Sequence, residues 1–181
     1  MKRPILWLAI VLLLVLSVNV YSDDDEHKWK QWFSGAASDI RPVTNQLYKQ
    51  ECASCHMAYQ PGLLPAASWK GVMSGLQDHF GENAELNAED VAIILDYLQQ
   101  DAADKSNFGR SAAFARNTSE QQLRITESRY FVRKHDEVPS RFIKDERIGS
   151  WSNCIACHVS ADKGVYDEHD VSIPGVGHWD D

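Results

Sequence analysis

Two five-residue runs, Cys52-Ala53-Ser54-Cys55-His56 and Cys154-Ile155-Ala156-Cys157-His158, constrain this 181-residue chain more than any other feature. Each reads Cys-x-x-Cys-His, and together they use all four cysteines. Two thiols one helical turn apart can reach the two vinyl groups of one porphyrin and form thioethers. The next residue, His, is then placed to put an imidazole nitrogen on the iron. This is the attachment signature of c-type haem. Two covalently bound haem c groups are therefore expected, held by Cys52, Cys55, Cys154 and Cys157, with His56 and His158 as proximal ligands. Paired zinc knuckles lie about 15–20 residues apart, whereas these runs stand in opposite halves of the chain. A thioredoxin-like dithiol needs a βαβ context, and neither run has one.

The amino-terminal residues read as an export signal rather than as part of the fold. Lys2 and Arg3 precede an apolar run over residues 5–16, and Ser22 offers a small residue at a cleavage point before an acidic stretch. An uncleaved anchor is the competing reading, because residues 5–20 fall only slightly short of the roughly 17–25 needed to span a bilayer. Either reading delivers the body of the protein to the periplasm, where covalent haem attachment takes place.

The formal charge of the whole chain is −8, which makes nucleic acid an unsuitable partner. Residues 23–104 carry 5 basic and 14 acidic side chains, and residues 105–181 carry 11 and 12. Within the second stretch Arg124, Arg129, Arg133, Lys134, Arg141, Lys144 and Arg147 crowd ahead of the second motif. They read either as a solvated face or as a basic surface for an acidic partner or for haem propionates.

The expected organisation is mainly α. A signal over 1–22 and an acidic, aromatic arm over 23–38 precede a first haem domain over 39–104. A linker over 105–122, rich in Ser, Ala, Asn, Thr and Gln, leads to a second, partly irregular haem domain over 123–181. A helix is expected over 41–51, capped by Asp39 with Pro42 in its first turn. It runs straight into the first motif. The turn-rich loop Tyr59 to Pro65 is the expected source of a backbone carbonyl for the His56 ring. A short helix over 68–80 should face Trp69, Val72, Met73 and Leu76 inward. The strongest helical pattern is 88–100, where Asn87 can cap and Val91, Ile94, Leu95 and Leu98 repeat at i, i+3, i+4, i+7. In the second half Thr126 can cap a helix running to Lys134.

The sixth ligand of each iron decides the chemistry, since a second His or a Met closes the site and an empty position opens it to small molecules. Met57 adjoins the proximal His and cannot reach across the ring, and the spacing of Met73 is that of ordinary helix packing. His79, 23 positions after His56, is the expected distal ligand of the first haem. His135, 23 positions before His158, is the expected distal ligand of the second. Met73 and His169 are the alternatives, while His27 and His178 read as exposed. Bis-histidine ligation lowers the reduction potential relative to His/Met.

Several stretches resemble the small soluble dihaem cytochrome c family. In the first half these are residues 48–56, Ala58 to Pro65, Ser68-Trp69 and His79-Phe80-Gly81-Glu82-Asn83-Ala84. In the second they are Arg124-Ile125-Thr126, His135-Asp136-Glu137-Val138-Pro139 and Asn153 to His158. The resemblance implies a class I cytochrome c-like first domain, a smaller second domain and bis-His ligation of both haems. It also implies a periplasmic electron carrier that donates to an oxygen-binding monohaem cytochrome, with a membrane b-type cytochrome as companion. The leading expectation is thus an electron-transfer protein, not an enzyme. A dihaem peroxidase or gas sensor would need one open or displaceable iron, and a zinc-binding module would contain no haem.

Overall fold

The structure is a computed structural model and describes residues 38–179, so the expected signal or anchor, His27 and the arm up to residue 37 lie outside the described residues. Among the described residues are six α-helices: α1 (Gln46–Cys52), α2 (Ala66–Ser74), α3 (Ala88–Gln100), α4 (Gly109–Asn117), α5 (Arg129–Lys134) and α6 (Ser140–Ile143). The only sheet among them is a two-stranded antiparallel hairpin, β1 (Ser172–Ile173) and β2 (Gly177–His178). The protein is mainly α, as its sequence predicts. No helix of the described residues is long and apolar enough to cross a membrane.

α1 delivers the first motif as expected, ending at Cys52, but it starts later than position 41. Asn45, not Asp39, is its cap and accepts a hydrogen bond from Tyr48 N. Pro42 biases the residue before it toward extended backbone, and residues 41–44 run outside the helix with Val43 buried. Asp39 serves a distant segment instead, accepting from Tyr166 N at 2.7 Å.

α3 matches its sequence pattern end to end. Asn87 accepts from Asp90 N, and Ile94 and Leu98 are fully buried against α2. α2 contributes Trp69, Val72 and Met73 to the same core, and Leu76 follows from the next turn. The helix expected over 68–80 breaks at Gly75, after which residues 76–78 tighten into a 3-10 turn. Met73 is thus a core side chain, 6% exposed.

The stretch read as a linker is not one. It contains α4, whose Phe114 and Ser111 are buried. This helix packs against the 3-10 turn Pro61–Leu63 and against α5, forming a second core with Ile40, Leu63, Ala103 and Phe131. Its polar composition disguised a single apolar stripe narrow enough to be carried by one Phe and several Ala. Residues from Ser38 onward cluster as one unit. α5 is also shorter than expected: Ser128, fully buried, caps it through Phe131 N, while Thr126 lies within a separate 3-10 turn, Ile125–Glu127.

The tail is less irregular than its composition suggests. Ser172 N donates to Cys157 O at 3.0 Å and Trp179 N to Val171 O at 3.0 Å, tying the hairpin to the second motif.

Candidate haem sites

At the first site α1 ends at Cys52 and a turn carries Cys55 and His56 away from it. The His56 Nδ1–H donates to Met57 O at 2.7 Å, leaving Nε2 as the nitrogen with a lone pair. The carbonyl comes from the neighbouring residue and not from the Tyr59–Pro65 loop. That loop supplies a ring instead: Tyr59 stacks on His56 with centroids 4.7 Å apart. His79 follows the 3-10 turn 76–78 and sits opposite, its ring centroid 6.2 Å from that of His56 and 24° from parallel.

A reciprocal backbone pair holds the His79 turn, His79 N to Glu82 O at 2.7 Å and Glu82 N to His79 O at 3.3 Å. Closing so tight a turn places Phe80 at φ 58, the one non-glycine residue with positive φ among those described. The Phe80 ring contacts the His79 ring, and the Arg124 guanidinium lies 4.2 Å from the Phe80 centroid. Burial, then the neighbouring His56 and Arg124, pushes the His79 pKa down, favouring the neutral imidazole that can bind a metal.

At the second site Cys154 opens a 3-10 turn and Cys157 caps it. His135, the C-cap of α5, donates its Nδ1–H to Phe131 O at 2.9 Å and stacks on the Phe131 ring. Such second-layer bonds fix tautomer and ring orientation in metal-bound histidines. The His135 and His158 centroids lie 6.1 Å apart with planes 79° from parallel. Burial, then His135 and Arg110, drives the His158 pKa down to about 4. The buried His158 Nδ1 meets no hydrogen-bond partner among the described residues.

The sequence-predicted residues therefore fall into two groups, Cys52, Cys55, His56 and His79 in one and Cys154, Cys157, His158 and His135 in the other. Of the alternatives, Met73 is packed in the core, whereas His169, its side chain 80% exposed and bonded to Asp167, lies on the wall of the cavity at the second site.

These residues fit a haem at each place. Imidazole–metal bonds, taken at the roughly 2.0–2.1 Å of zinc sites, use about 4 Å of each 6.1–6.2 Å separation. The remainder is the width of two half-rings, so one metal ion fits between each pair. Among the described residues no three His, Cys, Asp or Glu side chains converge on a metal site of their own. A cavity of about 690 Å³ opens at the second site between Cys154, Cys157, His158, His135, Trp151 and Arg110. All four thiols are free. Burial raises Cys52 and Cys154 to about 11, holding them in the S–H form.

The sequence placed the Tyr59–Pro65 loop beside His56 without singling out the side chains of Tyr59 and Gln60, and gave no sign of Tyr166 or Arg110 near these sites. Arg110 pairs with Asp39 and donates to Tyr130 OH and Tyr166 O. It lay in the supposed linker, and only an amphipathic reading of that segment would have found it.

A mainly α fold with two Cys-x-x-Cys-His sites, each facing a second histidine, defines a c-type cytochrome with two haems. The comparisons agree. Residues 48–166 match the family described as dihaem cytochrome c, and the chain belongs to that family. Its structure is similar to the dihaem cytochrome c of Shewanella baltica OS155, at 42% identity and a TM-score of 0.63, covering 75% of this chain and 98% of that one. It is likewise similar to the dihaem cytochrome c of Rhodobacter sphaeroides, at 43% identity and a TM-score of 0.61, covering 70% and 100% respectively. No curated protein sequence matches. Membership implies two covalently bound haem c groups and haem-based electron transfer.

Proposed function

We propose that the protein is a periplasmic single-electron carrier in which His56 and His79 bind one iron and His135 and His158 the other. The observation that carries this reading is the matched spacing of the two imidazole pairs, 6.2 and 6.1 Å. Bound haem supplies reversible one-electron iron chemistry at a low reduction potential when both axial ligands are histidine. The chain's own contribution is to hold the ligands. Met57 O and Phe131 O each accept a hydrogen bond from a ring N–H, and the 79–82 turn and the α5 C-cap fix the distal backbone. Tyr59 and Phe131 cover one face of their histidines and keep water from them.

The export pattern at the amino terminus supports a periplasmic location. The family resemblance supports an oxygen-binding monohaem cytochrome and a membrane b-type cytochrome as partners. The exposed cations preceding the second motif suit an acidic docking face, although Arg124, Lys134 and Arg147 are already paired with Glu127, Glu168 and Asp145.

The test is a carbon monoxide difference spectrum of the dithionite-reduced holoprotein. An α-band unchanged by CO is expected, because both sixth positions are filled. A CO-shifted fraction near half would overturn the carrier reading in favour of a haem enzyme or gas sensor with one open iron. Replacing His135 with Ala should create that half-shifted spectrum, and replacing it with Met should raise one of the two potentials.

A further inference from the structure

Three side chains join the two proximal histidines. Tyr59 lies with its ring on His56, 23° from parallel, and its hydroxyl donates to Ser152 O at 2.7 Å, two residues before Cys154. Gln60, next in the chain, is 0% exposed. Its Nε2 donates to Ala161 O at 2.6 Å, and its Oε1 accepts from Tyr166 OH at 2.6 Å. The Tyr166 ring meets the His158 ring edge-on, with centroids 5.5 Å apart. Asp39 and Arg110 pin the Tyr166 backbone from both sides, through its N–H and its carbonyl.

Packing alone does not call for this chemistry. A buried amide is costly unless its hydrogen bonds are made, and a Leu at position 60 would fill the space with no polar group to satisfy. Here both ends of the amide are satisfied by groups from the second haem site, about a hundred residues away in the chain.

We propose that Tyr59, Gln60 and Tyr166 form a hydrogen-bonded bridge that orients His56 and His158 relative to one another and carries the electronic coupling between the two haem sites. The proposal rests on the electron-carrier reading and deepens it. The three are positioning residues: they contact the proximal imidazoles or one another and undergo no chemistry. The exchange moves one electron, oxidising one site by the unit by which it reduces the other, and takes up no proton. Short hydrogen bonds replace van der Waals gaps along two branches. One runs from the Tyr59 hydroxyl to the Ser152 carbonyl, the other from the Gln60 amide to the Tyr166 hydroxyl.

The experiment uses the full-length holoprotein with Tyr166→Phe, Tyr59→Phe and both together, each removing a hydroxyl and leaving the ring, with Gln60→Leu as a fourth variant. Intramolecular electron exchange after flash photoreduction is measured beside the two reduction potentials and the paramagnetically shifted proton NMR lines of each haem. Each single hydroxyl deletion should slow exchange severalfold, beyond what any change in driving force between the two potentials explains, and the double variant should be slowest. Tyr166→Phe should move the NMR lines of the second haem and Tyr59→Phe those of the first. If Gln60→Leu fails to load haem, the phenylalanine variants still decide. Wild-type exchange rates in variants that fold, load two haems and stay silent to CO would overturn the bridge while leaving the carrier reading intact. CO binding by the wild-type protein would instead overturn the carrier reading.

Discussion

The rings of His56 and His79 face each other 24° from parallel, whereas those of His135 and His158 are crossed at 79°. The angle between two axial imidazole planes sets how far the iron d orbitals that receive π-donation are split. Near-parallel planes act on one orbital and split the pair. Crossed planes act on both and leave them nearly degenerate. Low-temperature EPR of the oxidised holoprotein should therefore show two distinct low-spin species, one rhombic and one with a single large g value. Replacing His79 should remove the rhombic species and leave the other. Two identical rhombic signals would show that the planes are alike.

Gly164 holds the second site against the entry of the chain. It sits at φ 76, its carbonyl accepts from Ile40 N at 3.1 Å, and a Cβ there would run into the Ile40 carbonyl. Gly164→Ala adds a left-handed backbone penalty to a clash with backbone that cannot swing away. The expected loss is about 2 kcal/mol or more, seen as a fall in Tm of about 5 °C or more by circular dichroism. An unchanged Tm would mean that this junction contributes nothing to the cooperative unit.

Phe114 tests whether α4 belongs to the folded core. At 4% exposure it packs edge-on against Tyr130 with centroids 4.9 Å apart. Phe114→Ala should cost about 3–5 kcal/mol in chemical denaturation, a core-sized value from a segment whose composition reads as a connector. A loss within the range of a surface substitution would restore the linker.

Asp145 gives a pH-dependent prediction. Arg147 bonds both of its carboxylate oxygens and also donates its backbone N–H, holding the Asp145 pKa down to about 2. Because the folded value is depressed, the contribution to stability is complete above the unfolded value near 3.9 and disappears as pH falls through about 2. Asp145→Asn should therefore be less stable than wild type at neutral pH, and the two should converge in acid. The gap should shrink with salt as well, since the pair lies at the surface.

Local chemistry made a good part of this protein legible. The two attachment motifs, the end of α1 at Cys52, and α3 with its Asn87 cap are written in residues that act within a turn or two of themselves. So is the inward face of Trp69, Val72 and Met73. Where two local signals competed, neighbours decided. Asn45 took the cap expected of Asp39 because the helix starts beyond Pro42, and buried Ser128 took the cap expected of Thr126.

By itself the sequence carried the two Cys-x-x-Cys-His runs and with them the expectation of two attached haems, since that signature needs only five adjacent residues. His79 and His135 were expected opposite the proximal histidines from their positions in the sequence; only the tertiary structure set the separation and angle of each pair. It also decided that α4 is core, and that Tyr59 and Gln60 reach Ser152, Ala161 and Tyr166. The reason is physical: a helix or a cap is specified by spacings of three or four residues. A hydrogen bond between Gln60 and Tyr166 spans 106 positions and exists only once both cores have packed.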